Sequence, residues 1–497
     1  MVFSALTDLP GVETAYAGMV SQSSLRVLED LGLMSDAVVN ASESDMFIVV
    51  RAESEAAFQA ALAEAARIMG SSQGTTQQGV SYPTLEAAYR ANSRANICTI
   101  SVPGEYACEV TKQALNHGLH CIVFSNNVPL EQEREMKELA REKGLLCMGP
   151  DCGVANINGA AFVLSSINNR GPVGICGASG CGIQHVAAFL HEAGSGVSQT
   201  IGTGGNDLKE QVGGISMLMG IDALEDDPET EYIVLISRKP ADSVMRRILD
   251  RVKNCRKPVV VCFLGAEARP VMEAGAIYAK DLDECALRAL ELVGKKFAFE
   301  TPEELHEMAA RAAAKLNREQ KYVRGIYCGG TYCDEAMKTL QDVLGGIHSN
   351  CPLQPELKLS DSFASEENCV IDAGEEEFTR GKPHPTLEPA MRLPLIEKEG
   401  DDPQTAVILL DFILTPAANS DPAGVTLKAI RSVLDKSRKR NGEIAIVASV
   451  LGTDADIQNV KLQRKELSDA GVYVCKSNRQ AAALAAEIVR LANERRG

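Results

Sequence analysis

The chain is 497 residues long and 45 % apolar, enough for several domains with filled cores. Its formal charge of −17 excludes the basic footprint of a nucleic-acid binder or of a protein docked on anionic lipid. Apolar runs are too short for a membrane span, and the N-terminus lacks the basic-then-apolar order of a signal peptide. Cysteines such as Cys98, Cys121, Cys147, Cys262 and Cys328 sit singly in apolar segments. That pattern fits reduced core thiols in a cytoplasmic protein, and no Cys/His spacing predicts a metal site.

Residues 1–72 read as a small α/β module. Val12–Val20 has strand character and leads to a helix near Ser23–Leu33. Asp45–Arg51 forms a second strand, feeding an Ala-rich helix over Ser54–Met69 with Phe58, Leu62 and Ala66 on one face. The polar stretch Gly70–Ser81 is a linker by composition. The module shows no chemistry and is expected to pack or oligomerise.

Residues 85–168 alternate strand and helix: Asn96–Val102, Glu105–His117, Cys121–Phe124, Leu130–Lys143 and Leu145–Cys147. Such alternation predicts a parallel sheet whose ligands bind at the carboxyl ends of the strands. Those ends are Val102–Glu105, Ser125–Leu130 and Gly149–Gly153. No Gly-x-Gly-x-x-Gly precedes the run, so a dinucleotide cradle is not expected.

Residues 169–295 open on the chain's most pointed feature. A buried strand, Val173–Cys176, runs into the turn Gly177-Ala-Ser179-Gly180 and then a helix bearing Ile183, Val186, Ala187 and Leu190. A strand, a glycine turn and a helix aim unpaired backbone N–H groups and a positive dipole end at an anion. No Gly-Lys-Ser/Thr follows, so this is not a nucleoside-triphosphate loop. Strand Val197–Ile201 leads to a second glycine loop, Gly202–Asp207, with Gly204, Gly205 and Asn206 as candidate anion contacts. Strands Ile233–Ile236 and Val259–Phe263 flank helix Asp242–Lys253. A helical bridge, 296–320, leads to a last domain, 321–497. There, strand Arg324–Cys328, turn Gly329-Gly330-Thr331 and helix Cys333–Leu344 repeat the same logic. The acidic stretch His348–Gly400 reads as a long loop, a length that implies function or disorder. The fold class is therefore α/β, with several parallel-sheet Rossmann- or flavodoxin-like units and a small N-terminal module.

The stretch Ala95–Val293 resembles the α-subunit of succinyl-CoA synthetase. The motifs are Val102-Pro-Gly104, Gly149-Pro-Asp-Cys152, Ser179-Gly180, Gly202-Thr-Gly-Gly205 and Ala274-Gly-Ala-Ile277. Residues 321–492 resemble the ligase domain of its β-subunit. As a whole the chain is similar to the FdrA family of acyl-CoA-synthetase-like proteins. Its marks are Gly329–Glu335, Asp372-Ala-Gly-Glu-Glu376, Phe378–Pro385 and Asp421-Pro422. The synthetases carry a phosphoryl group on a histidine just before Ala-Gly-Ala-Ile; here that position is Glu273. The supporting carboxylate is replaced by Arg238, followed by Lys239, and the ATP-grasp domain has no counterpart between the two ligase-like parts.

The resemblance implies an oxyanion site in which Ser179, Gly180, Gly204, Gly205 and Asn206 face Gly329, Gly330 and Thr331. Arg238 would be its positive contact and Glu273 a candidate base. The ligand implied is phosphate or carbamoyl phosphate, with the chain as a subunit of an oxamate carbamoyltransferase in purine-nitrogen catabolism. The alternatives are an ADP-forming acyl-CoA synthetase, an acid–thiol ligase, or a non-catalytic relative binding acyl-CoA; CoA as a ligand stays open. Partners implied are a small oxyanion substrate and sister subunits in a homo- or hetero-oligomer. Arg380, Lys382 and His384 form a candidate lid over the anion. Asp372 and Glu375–Glu377 read as a solvated acidic face more readily than as a magnesium site.

Overall fold

The computed structural model describes residues 9–19, 32–40, 46–70, 81–380 and 382–495, with Leu6, Leu25, Leu28 and Glu29. The expected helix near Ser23–Leu33 and the linker at 70–81 lie largely outside these residues. The described chain divides into two compact units, 1–81 with 373–394, and 82–372 with 395–497.

In the first unit β1 (Val12–Met19) pairs antiparallel with β2 (Met46–Ala52). Helix α1 (Glu55–Gly70) follows, and its Ala61 and Ala65 share a buried cluster with Leu6 and Ala15. Small residues four apart let the helix approach the ribbon closely. Tyr16 stacks on Phe47 with centroids 5.9 Å apart, in a cluster with Leu28, Leu33 and Val38. Residues 373–394 belong here too, so the expected long loop is two pieces. Its first part ends as a strand of the second unit, Cys369–Asp372.

The second unit holds three sheets. Strands β3 (Ile97–Ile100), β4 (His120–Val123) and β5 (Cys147–Met148) are parallel, with helices α2 (Gly104–Asn116) and α3 (Leu130–Lys143) as crossovers. The seven-stranded sheet comprises β6 (Val154–Ile157), β7 (Ala160–Val163), β8 (Arg170–Gly177), β9 (Val197–Gly202), β10 (Tyr232–Arg238), β11 (Val259–Leu264) and β12 (Ile277–Tyr278). Its order is β12-β11-β10-β8-β9-β6-β7. Strands β8 to β12 run parallel, as the alternation predicts, while β6 and β7 add an antiparallel hairpin at one edge. Helices α4 (Gly180–Glu192), α5 (Ile215–Asp226), α6 (Asp242–Lys253) and α7 (Leu282–Leu292) follow in turn.

The helical bridge contains α8 (Pro302–Ala313), opened by a capping box between Thr301 and Glu304. The last sheet is parallel, in the order β14-β13-β15-β16-β17. Its strands are β13 (Tyr322–Tyr327), β14 (Cys369–Asp372), β15 (Thr405–Ile413), β16 (Ala445–Leu451) and β17 (Tyr473–Cys475). Helices α9 (Gly330–Leu344) and α10 (Asn478–Glu494) cover it. One continuous core joins the last two sheets: Val186 and Leu190 of α4, Ala289 of α7, Leu340 of α9 and Ile488 of α10 belong to it. Phe189, Phe297 and Phe299 add an edge-to-face trio with centroids 4.7–5.1 Å apart.

Acid sensitivity has a local source at the end of α5. Glu225 accepts the Arg256 backbone N–H at 2.5 Å and guanidinium bonds from Arg251 and Arg256. These, the backbone N–H first, hold its carboxyl down to about 2. An ordinary carboxyl titrates near ~4.3, so the contribution is present above that pH and is lost as pH falls through about 2. Glu225→Gln is expected to lower stability at pH 7 but to match the parent at pH 2. Denaturant curves at the two pH values check this.

Candidate functional site

Two strand–turn–helix corners meet within the second unit. Ser179 caps α4, its Oγ accepting the Gly182 N–H at 2.9 Å, and the same hydroxyl donates to Thr331 Oγ1 at 2.9 Å. Thr331 lies in the first turn of α9, so the N-termini of α4 and α9 point at one place. The leading amides of each helix have no intrahelical acceptor, so both helix starts bring positive backbone charge to this meeting point.

Carboxylates crowd the α9 side. Asp411, fully buried on β15, accepts the N–H groups of Cys328 (2.8 Å) and Gly329 (2.9 Å). A Cβ at Gly330 would stand 2.9 Å from Asp372 Oδ2. Arg238, at the end of β10, gives its Nε to Asp334 at 2.5 Å, while its side chain stays 58 % exposed. Burial raises the Asp334 carboxyl above its usual range, against the pull of Arg238. The expected positive contact is thus beside Gly330, but its charge is balanced by a carboxylate of the same helix. Cys181, in the first turn of α4, is pushed well up by burial and by Asp411 and Asp372, so it is a packing thiol, not a nucleophile.

The structure brings Ser179, Gly180, Gly329, Gly330, Thr331 and Arg238 together, and the Gly202–Asn206 loop starts beside the same turn, with the Thr203 N–H donating to the Gly177 carbonyl at 2.8 Å. A Cβ at Gly204 would lie 2.0 Å from the Pro150 carbonyl, and Gly204 has φ +80°. Only glycine fits there, so the Gly202–Asn206 loop packs at Gly204 on the Gly149-Pro150 turn that follows β5. That turn also meets the carboxyl end of β4, where a Cβ at Gly149 would stand 2.2 Å from the Val123 carbonyl. There Val102 N–H donates to Ser125 Oγ at 3.0 Å and Asp151 N–H to the Ser125 carbonyl at 2.9 Å. A Cβ at Gly104 would stand 2.3 Å from the Asn126 carbonyl, so the Pro103–Gly104 turn packs directly on the Ser125–Asn127 loop. This is the crevice that parallel sheets present to ligands. Glu273 ends the short helix Ala268–Glu273 with its side chain 63 % exposed and bonds Arg269 at 2.7 Å. No hydrogen bond or ion pair among the described residues ties Glu273 to the Ser179–Thr331 corner.

The candidate lid lies in the first unit. Burial lowers Lys382 to about 8, and burial with Arg392 lowers His384 to about 4. Lys382 Nζ stands 5.8 Å over the Tyr16 ring. The acidic motif is divided as well: Asp372 ends β14 in the second unit, whereas Glu376 and Glu377 open a short helix in the first.

Sequence reading missed the buried network behind the corner. His185 Nδ1 meets Tyr332 Oη at 2.8 Å, and its Nε2 lies 3.3 Å from Asp283 Oδ1. Ser477 Oγ and Arg479 Nε reach Asp283 Oδ2 at 2.8 and 3.1 Å, and Asn478 Nδ2 donates to Glu335 Oε2 at 2.9 Å. These side chains come from α4, α7, α9 and the start of α10. They tie the two ligase-like parts together, and no local pattern announces them.

Residues 168–265 match the CoA binding domain family, residues 326–488 the CoA-ligase family, and residues 1–83 the AllF heavy metal-associated domain. Residues 1–83 contain neither cysteine nor histidine. The chain is 40 % identical to the uncharacterized protein YahF of Escherichia coli K12, over 97 % of its own length and 94 % of that protein's. The chain belongs to the FdrA family of acyl-CoA-synthetase-like proteins. It is 29 % identical to the α-subunit of ADP-forming succinate–CoA ligase from Methanothermobacter thermautotrophicus, over 37 % of the chain and 62 % of the relative. It is 26 % identical to the malate–CoA ligase α-subunit of Methylorubrum extorquens, over 44 % and 75 %. ATP citrate lyase from Methanothrix soehngenii, solved with citrate and coenzyme A, aligns over 84 % of this chain and 86 % of its own, at 15 % identity and a TM-score of 0.38.

These matches correct the expected activity. Both ligase-like parts of this FdrA-family chain fall in CoA-binding and CoA-ligase families, so its affinity is with acid–thiol ligases and not with carbamoyltransferases. The Arg238 guanidinium expected to grip carbamoyl phosphate is instead paired with Asp334 in the structure. Among the described residues no helix is long and apolar enough to cross a membrane.

Proposed function

We propose that this chain performs the acyl-transfer half of acid–thiol ligase chemistry, between coenzyme A and a phosphate held at the Ser179–Thr331 corner. The observation that carries it is the 2.9 Å bond between those hydroxyls, which aims the N-termini of α4 and α9 at one point. Coenzyme A would lie in the crevice of Val102–Gly104, Ser125–Asn127 and Pro150, with Gly204, Gly205 and Asn206 on its border. With Glu273 exposed and paired to Arg269, the reading omits phosphorylation of the protein by a nucleotide. The step is reversible phosphorolysis of a thioester. A phosphate oxygen bonds to the acyl carbon, the C–S bond breaks, and the phosphate proton passes to the departing sulfur. Amides and hydroxyls fixed in advance stabilise the charge that develops. Ser179 spends its proton on Thr331, which leaves the Thr331 hydroxyl hydrogen for the ligand.

The test is release of free thiol from succinyl-CoA and other short acyl-CoA esters, with and without phosphate. Phosphate-dependent release is expected, and Thr331→Val should reduce it about tenfold to a hundredfold, the worth of one hydrogen bond to a charged group. Ser179→Ala should cost less, because the backbone amides remain. Absence of phosphate-dependent release, together with no coenzyme A binding by calorimetry, would sink the reading.

A further inference from the structure

We propose that Cys333, Cys351 and Asp372 form a zinc site beside the N-terminus of α9. One sulfur from each cysteine and one carboxylate oxygen all lie within 4.8 Å of one another. Cys333 and Asp372 are buried, Cys351 is half-buried, and the two thiols are in hydrogen-bonding contact. A tetrahedral zinc ion, with Zn–S of about 2.3 Å and Zn–O of about 2.1 Å, holds such atoms about 3.6–3.8 Å apart. The cluster therefore needs only a small contraction.

The frame around it is already stiff. Asn350 accepts the Asp372 N–H at 2.9 Å and donates to the Asp372 carbonyl at 3.0 Å, which locks the end of β14 to the chain carrying Cys351. Ser349 Oγ accepts the Cys351 N–H at 3.1 Å. Cys333 is fixed by α9 itself. Three ligands thus arrive from three segments, each held by backbone hydrogen bonds, as a preorganised metal site requires. Asp334, paired with Arg238, and Asp411, which accepts the Cys328 and Gly329 amides, lie at the same helix start as Asp372. Two thiols and one carboxylate select zinc over magnesium or calcium, which take oxygen ligands. On binding, both thiols lose their protons to solvent as two Zn–S bonds form, and the fourth position is left for water.

The proposal is independent of acyl transfer, since its readout needs neither coenzyme A nor phosphate. The reduced full-length chain, held in a non-thiol reductant without air, is titrated with Co²⁺ alone. One equivalent is expected to give thiolate-to-cobalt charge-transfer absorption and tetrahedral visible bands, both bleached by Zn²⁺. Cys351→Ser should diminish the charge-transfer absorption and weaken binding tenfold or more, whereas Cys98→Ser should leave both intact. Without any variant, one equivalent of Zn²⁺ should protect the half-buried Cys351 from alkylation and leave Cys98 reactive, read by peptide mass spectrometry. No charge-transfer absorption in the parent, or an unchanged spectrum in Cys351→Ser with no protection of Cys351, overturns the site.

Discussion

Replacing Lys137 with methionine is expected to cost about 3–5 kcal/mol, a fall in midpoint on the order of 10 °C. Lys137 sits on α3 with no exposed side-chain area, its Nζ 2.8 Å from Glu133, 2.9 Å from Asp207 and 2.9 Å from the Thr203 carbonyl. Burial pulls its ammonium down, yet the Asp207 and Glu133 carboxylates more than reverse this, and its pKa stands above the ordinary value. A raised lysine is fully charged at neutral pH, so its contribution is present there and is lost only as pH rises through the folded value. Without Lys137, Asp207 still accepts the Ser216 and Met217 amides at 3.0 and 2.9 Å. Glu133 has no such reserve: its Oε2 already lacks a hydrogen-bond partner. The stranded charge is therefore Glu133, and Lys137→Met/Glu133→Leu should recover more than half of the loss. Thermal and denaturant unfolding of the two variants checks this; a double variant no more stable than the single would refute it. Because the network pins the Gly202–Asp207 loop to α3, the single variant should also loosen the crevice proposed for coenzyme A.

The parallel sheets were legible because strands buried on both faces read as unbroken apolar runs. Val173–Cys176 and Val259–Phe263 were visible this way, and each glycine turn marked where a strand becomes a helix. The hairpin β6–β7 escaped, although Asn158-Gly159 carried its signal: both have positive φ, 51° and 83°, as a tight hairpin turn demands. Ser179 and Thr331 stood out in the sequence because each sits in its own local motif. The contacts around them did not, because they join segments remote in sequence. Arg238 meets Asp334 across the join of two sheets, and Gly204 meets Pro150 across another. Lys137 lies in Leu130-Glu-Gln-Glu-Arg-Glu-Met-Lys-Glu-Leu-Ala-Arg-Glu-Lys143, where nothing in the pattern separates the one buried lysine from its solvated neighbours. Glu335 is equally silent, a single acid on an amphipathic helix.

Glu335→Gln is expected to stabilise the protein at pH 8 by about 1–3 kcal/mol and to change little at pH 4.5. Glu335 is 4 % exposed, and burial, with Asp283 nearby, pushes its carboxyl up to about 7. Asp283 goes the other way. Burial opposes its charge, but His185, Arg479 and Ser477 keep its carboxyl below the usual range. Of these two acids, then, Asp283 carries the charge and Glu335 keeps the proton. An acid raised on folding is neutral in both states below its unfolded pKa of ~4.3 and contributes nothing there. Between that pH and about 7 the unfolded chain has released a proton that the folded chain still holds, so stability falls as pH rises. Above about 7 the penalty is complete, because ionised Glu335 then faces Asp283 without water. Glutamine keeps an oxygen for the Asn478 amide, 2.9 Å away in the parent, and carries no charge to desolvate. Stability curves of the parent and Glu335→Gln should therefore coincide near pH 4.5 and separate through neutrality, with the variant on top. A variant less stable than the parent at pH 8 would show that ionised Glu335 is held by its surroundings and that the proton resides elsewhere in the His185–Asp283 network.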